Sequence, residues 1–227
     1  MWQALRSELH PNGLEVVTVA LDANADAARS VIARHPHDHP SLIDSAHLLD
    51  ELFGVVNVPS GVWIDEDGLI VRPPEPAFPG RSAYRDTRVA PNLPERLAAM
   101  LDEAQKIRTE PEKYVSALRD WVARGKDSPF ALSPDEVMKR SRPRPVEEAH
   151  AAAHFELGQY LHSTRRPGDA VRHFREAHRL QPGNWTYKRQ AWSLADPLQG
   201  PTELYEGDWL SDVRKIGAEN YYPPLHM

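Results

Sequence analysis

Val58-Pro59 leads into the run Gly61-Val62-Trp63-Ile64-Asp65, and Glu66-Asp67-Gly68 then separates it from a second run, Leu69 to Arg72. Two strand-like runs joined through an Asp-Gly pair predict a β-hairpin, because its turn needs positive φ and glycine adopts that without a Cβ clash. The proline at the entrance lacks a backbone donor, so the first strand must open there or lie at a sheet edge. The chain contains no cysteine. Chemistry that depends on a thiolate nucleophile is therefore outside what its own residues perform.

Upstream, Trp2 to His10 reads as a short helix with Trp2, Leu5 and Leu9 on one face, and Pro11-Asn12-Gly13 closes it with a turn signal. Leu14 to Leu21 is a β-branched apolar run, the pattern of a strand buried on both faces. Asp22 to Arg34 has helical spacing through Ala27, Ala28, Val31 and Ile32. Ser41 to Phe53 reads as a second helix, with Leu42, His47 and Leu52 inward and Gly54 at its end.

Downstream, Arg72 to Asn92 is rich in proline and glycine and reads as an irregular connection. Leu93 to Arg108 is an amphipathic helix with Leu97, Met100, Leu101, Ala104 and Ile107 in phase. Thr109-Glu110-Pro111-Glu112 matches a capping box ahead of a helix that ends at Arg124, and Ser133-Pro134-Asp135-Glu136 repeats that signature. Ser141-Arg142-Pro143-Arg144-Pro145 reads as a hinge. The second half is all-helical.

The formal net charge of −6 argues against nucleic-acid binding, which needs a basic surface to neutralise phosphates. No apolar run reaches bilayer-spanning length, and Met1-Trp2-Gln3-Ala4-Leu5-Arg6 lacks a signal-peptide segment, so a cytoplasmic protein without a membrane partner is expected.

The strand Leu14–Leu21 ending at Asp22, the approach Gly54-Val55-Val56-Asn57-Val58-Pro59 and the hairpin beginning Trp63-Ile64-Asp65 together resemble the thioredoxin superfamily, in particular its TlpA/ResA-like or redoxin branch. The resemblance implies a cis proline at Pro59 facing a site, and Val58, Pro59 and Ser60 as binding residues. It also marks a departure. The first family strand and the Cys-x-x-Cys segment would precede Trp2, so the strand that lies between Leu14–Leu21 and Gly61–Asp65 in the family is missing. Another segment fills that gap, the two strands pair directly, the exposed edge of Leu14–Leu21 makes a homodimer, or the natural chain is longer upstream.

Leu157, Gly158, Ala170, Phe174, Ala177 and Pro182 stand at the spacing of a tetratricopeptide repeat, whose period is about 34 residues. Small Gly158 and Ala170 permit close helix approach, Phe174 fills the space beside Ala177, and Pro182 stops the second helix. A lone repeat cannot bury its own apolar face, so Trp185 to Leu194 and Glu110 to Lys139 are expected to pack on it.

The expected fold class is thus an α/β thioredoxin-like unit missing its first strand, over residues 1–92, followed by connecting helices over 93–145. A tetratricopeptide-like hairpin with a capping helix covers 146–195, and an aromatic-rich arm, 196–227, packs back over the helices. Among other candidate sites, His35, His37 and His39 offer imidazoles for a metal, although the intervening prolines favour a solvated loop. His150 and His154 share a helix face but lack the glutamate of a metalloprotease motif. Asp65 and Asp67 shape a turn. Ser41 and Ser60 have no nucleophile elbow, and no phosphate-binding glycine loop is present. The primary expectation is a non-redox scaffold binding a polypeptide around Pro59 and in the helical groove, without a cofactor. The alternatives are a thiol-disulfide or peroxide oxidoreductase whose cysteine segment lies upstream, and metal binding by the histidine loop.

Overall fold

A computed structural model describes residues 1–35, 37–87, 92–141 and 143–227, with the backbone alone for residues 83 and 84. Pro36 of the histidine loop, residues 88–91 of the irregular connection and Arg142 of the hinge lie outside the described residues. The described chain is mixed α/β, with ten α-helices and four short strands.

Helix α1 (Trp2–Leu9) precedes β1 (Thr18–Leu21), α2 (Ala25–Arg34), β2 (Ser41–Asp44) and α3 (Leu48–Phe53). β1 and β2 run parallel, with Thr18 opposite Ser41 and Leu21 opposite Asp44. β3 (Ser60–Ile64) and β4 (Ile70–Pro76) form the expected antiparallel hairpin, with Gly68 supplying the positive φ of its turn, 78°; β4 runs on past Arg72 to Pro76, into the stretch expected to be irregular, because Gly61 and Ser60 pair with Glu75 and Pro76. The helices that follow are α4 (Glu95–Lys106), α5 (Pro111–Arg124), α6 (Pro134–Arg140), α7 (Val146–Ser163), α8 (Pro167–Leu180), α9 (Trp185–Ala195) and α10 (Trp209–Ile216).

Four further sequence expectations are corrected. The strand expected over Leu14–Leu21 is regular only from Thr18, since the neighbouring residue there is Pro40, which has no N–H to extend the ladder, and it is not buried on both faces, because Val17 and Val19 are exposed. The helix expected over Ser41–Phe53 is instead β2 followed by α3. His47 between them takes a left-handed φ of 56°, which no continuous helix accommodates, and Asp44 accepts the Leu49 N–H at 2.7 Å to start α3. Direct pairing of the first strand with Gly61–Asp65 does not occur, since β1 pairs with β2 and β3 with β4 in separate sheets. The capping box at Thr109 is not formed. Glu110 occupies the cap position of α5, with Pro111 at the first turn, and the Glu110 carboxylate accepts the Leu225 N–H at 2.9 Å.

Two cores hold the molecule. Leu5 and Leu9 of α1 pack with Trp63, with Tyr114 and Leu118 of α5, and with Leu225. Trp63 donates its indole N–H to the Tyr114 hydroxyl at 3.1 Å and stacks on Trp121 with centroids 5.0 Å apart. The second core gathers Phe155, Phe174, Tyr187, Trp192, Trp209 and Val213. Gly158 is required there, because a Cβ at that position would stand 2.8 Å from the Phe174 ring. α4 packs its Met100 and Ala104 on this second core while α5 builds the first, so the intermediate helices are shared between the cores. The C-terminal arm packs back as expected, but it crosses both: Trp209 and Tyr221 belong to the helical core and Leu225 to the other.

Candidate functional site

Gly54, with a φ of 73°, ends α3, and the chain then passes the N-terminus of α9. There the Val56 carbonyl accepts the Trp185 and Thr186 N–H groups at 2.7 and 3.2 Å, satisfying donors that a helix start leaves unpaired. Buried Asn57 donates its amide to the Tyr221 carbonyl at 3.1 Å and accepts the Val58 N–H at 2.9 Å. The Val58-Pro59 bond is cis, as the sequence reading expected. Tyr222 donates its hydroxyl to the Val58 carbonyl at 2.7 Å, and Ala77 donates its N–H to the Pro59 carbonyl at 3.2 Å. The turn is thus fixed from α9, from the start of the hairpin's exit and from the C-terminal arm.

A cavity of about 420 Å³ opens beside this turn. Val58 and Pro59 form one side, and Met100, Ala104 and Ile107 of α4 form another. Phe78, Trp209, Tyr221 and Tyr222 give it an aromatic wall. That wall is internally braced: Trp209 donates to the Tyr221 hydroxyl at 3.3 Å, and the ring of Tyr222 meets Tyr221 at 4.8 Å and Phe78 at 5.1 Å. Burial raises the pKa of the Tyr222 phenol above its ordinary value, so the hydroxyl stays a donor at neutral pH.

The polar lining is cationic. Among the described residues Arg85 and Arg189 line the cavity and no aspartate or glutamate does. Arg85 commits one amino group to the Ile107 carbonyl at 2.6 Å. Arg189 has a buried Nε without a hydrogen-bond partner. Carboxylates on the flanking elements are committed elsewhere, Glu103 to Lys106 and Arg214, and Asp208 to Arg96 at 3.0 Å.

Of the residues singled out in the sequence, Val58 and Pro59 line the cavity and Ser60 does not; its hydroxyl donates to the Glu75 carbonyl at 3.1 Å. His37 and His39 stack with ring centroids 4.2 Å apart. His37 Nδ1 meets the His35 carbonyl, its Nε2 meets the Ser41 hydroxyl, and His39 Nδ1 meets the Gln3 side chain. Among the described residues no three histidine or carboxylate side chains are grouped to hold a metal ion. Asp65 accepts the Asp67 and Leu69 N–H groups at 3.1 and 2.8 Å, shaping the hairpin turn as expected. Sequence reasoning missed Arg189, Phe78 and Met100 as neighbours of Pro59. The concentration of aromatics in the arm signals Trp209, Tyr221 and Tyr222 but none of these three.

A second polar cluster lies behind the turn. His47 is buried, with Nδ1 3.0 Å from Asp50 and Nε2 2.9 Å from the side-chain oxygen of Gln190, which also accepts the Ala23 N–H at 2.9 Å. Desolvation, the largest influence, opposes the imidazolium. The hydrogen bond and charge of Asp50, with Gln190 and Asp44, outweigh it and raise the pKa above its ordinary value.

Comparisons with protein-family models, with curated proteins and with solved structures found no match to this chain. Among the described residues no helix is long and apolar enough to cross a membrane.

Proposed function

We propose that this chain is a non-redox, thioredoxin-like and tetratricopeptide-like module that binds a polypeptide in the cavity beside Val58 and Pro59. The observation that carries the reading is the cavity itself: about 420 Å³, walled by Pro59, α4 and four aromatic rings. Its size falls within the roughly 300–1,000 Å³ typical of ligand sites, and its apolar and aromatic lining suits apolar side chains. Braced aromatic rings present a large contact area at little cost in conformational entropy. The absence of cysteine removes thiol chemistry from the chain's own residues, which is consistent with a recognition role for the Pro59 turn.

Selection of a random peptide display library on the full chain tests this. Enriched peptides are expected to perturb the indole resonance of Trp209. They are expected to bind about tenfold or more weakly to Ala104→Arg, which fills the cavity, and to Leu198→Asp, which charges its exposed rim. Peptides that bind both variants as well as the original chain overturn the assignment to this cavity.

A further inference from the structure

The cavity beside Pro59 holds a cation that the fold does not neutralise. In a chain of net charge −6, two arginines and no carboxylate line it among the described residues. Arg189 is the more exacting of the two. Among the described residues its Nε is buried without a hydrogen-bond partner. An unpaired guanidinium nitrogen withdrawn from water is costly unless something else satisfies it. Three neighbouring polar groups are already engaged: Tyr222 donates to Val58, Tyr221 accepts from Trp209, and one amino group of Arg85 reaches the Ile107 carbonyl.

We propose, on the polypeptide-binding reading above, that the cavity captures the free C-terminus of its partner, with the terminal carboxylate on Arg189 and an apolar or aromatic last side chain against Met100, Trp209 and Tyr222. A guanidinium fork matches the two oxygens of a carboxylate, and a charge-assisted pair in a partly desolvated cavity is among the stronger polar contacts available to a protein. C-terminal carboxylate capture is a recurrent mode of peptide recognition. An internal apolar segment would leave Arg189 facing neutral amides, whereas a chain end supplies the missing acceptor and the apolar body together. Arg85, free of any carboxylate ion pair among the described residues, stands on the same lining as a second, weaker attraction.

The test uses the full chain and three probes: the acetylated tetrapeptide Ala-Ala-Leu-Phe with a free carboxylate, the same peptide as its C-terminal amide, and N-acetyl-phenylalanine. Calorimetry gives affinity, and the Trp209 indole resonance reports occupancy. The acid is expected to bind about tenfold or more tightly than the amide, the difference a charged hydrogen bond supplies. Arg189→Gln is expected to reduce the acid to the affinity of the amide, and Arg189→Lys to restore part of the difference. Equal binding of acid and amide, or an acid preference that survives in Arg189→Gln, overturns the carboxylate anchor while polypeptide binding stands. If N-acetyl-phenylalanine binds as tightly as the tetrapeptide with the same dependence on Arg189, the ligand is a small carboxylate and the peptide assignment falls. If neither peptide moves the Trp209 resonance, the polypeptide reading falls with it.

Discussion

The side-chain oxygen of Gln190 lies 2.9 Å from Nε2 of His47, across 143 positions of sequence. Gln190 also accepts the Ala23 N–H, so its oxygen meets two donors and the imidazole must present a proton to it. Asp50 on the other ring nitrogen then favours the imidazolium. One buried charge pair therefore joins the end of β1, the start of α3 and the middle of α9.

This pair gives stability an alkaline limb. The folded pKa of His47 is raised above its ordinary value of 6.5. Its contribution is complete below the unfolded pKa, about 6.5, and is lost as pH rises through the folded value. The thermal midpoint is expected to decline over that interval in the native chain and to be flatter there in His47→Gln. A proton-resonance titration that places His47 below 6.5 would refute this.

His178 gives the opposite limb. It is buried against Trp192 and Tyr205, its Nε2 has no partner, and desolvation followed by the charge of Lys188 depresses its pKa to about 4. Lowered from 6.5, it favours the folded state when neutral, so stability is lost as pH falls from about 6.5 towards 4, by about 3 kcal/mol in total. A hydrogen bond with the Tyr187 backbone and then the charge of Asp212 temper this. Denaturant melts of His178→Phe are expected to lose less stability between pH 7 and pH 4.5 than the native chain. Parallel losses in the two proteins would remove His178 from the account.

Two glycines near the α7–α8 packing should respond in opposite directions to alanine. Gly158→Ala gains helix propensity but places a methyl 2.8 Å from a Phe174 ring already confined by Phe155 and Tyr205. The overlap is expected to prevail, with a net loss of about 1–3 kcal/mol. Gly168, in the first turn of α8, has nothing within 4 Å of its added Cβ, and Gly168→Ala is expected to stabilise by up to about 1 kcal/mol. Calorimetric melting decides both, and an unchanged midpoint for Gly158→Ala would show that the two helices are free to separate.

The legible parts of the fold were those encoded locally. Asp67-Gly68 announces its turn through a single positive φ, and the Gly158, Ala170 and Phe174 spacing announces a helix pair because its period is written along one segment. Ser41 to Asp44 was misread because four residues are too few to display a strand's alternation, and Leu42, His47 and Leu52 mimic a helix face. Val58 and Pro59, which line the cavity, are singled out in the sequence by their place before the hairpin. Arg189 is not, because it reaches the cavity only through tertiary folding, and an arginine in a helix reads as an ordinary surface residue until its neighbours are known.

Arg72 should hold the C-terminal arm. Its guanidinium is 1% exposed, sits over the Trp63 ring at 5.5 Å, pairs with Glu75 at 3.2 Å and donates to the carbonyls of Phe130 and His226 at 2.7 and 2.6 Å. Arg72→Ala leaves Glu75 and both carbonyls without that donor, and a loss of about 3–5 kcal/mol is expected. Hydrogen exchange should then accelerate first in residues 221–227. Uniform acceleration across the chain would mean that the arm is anchored elsewhere.

The bond from Tyr222 to Val58 also bears on timing. The two residues are 164 positions apart. Closing so long a loop delays the contact until much of the chain has already collapsed, as non-local contacts slow folding in general. Both cores can gather most of their members before the arm returns, but the aromatic wall beside Pro59 cannot exist until it does. A folding intermediate with an intact hairpin and helices therefore has no cavity, and ligand protection of Trp209 would report the final step of assembly rather than its beginning.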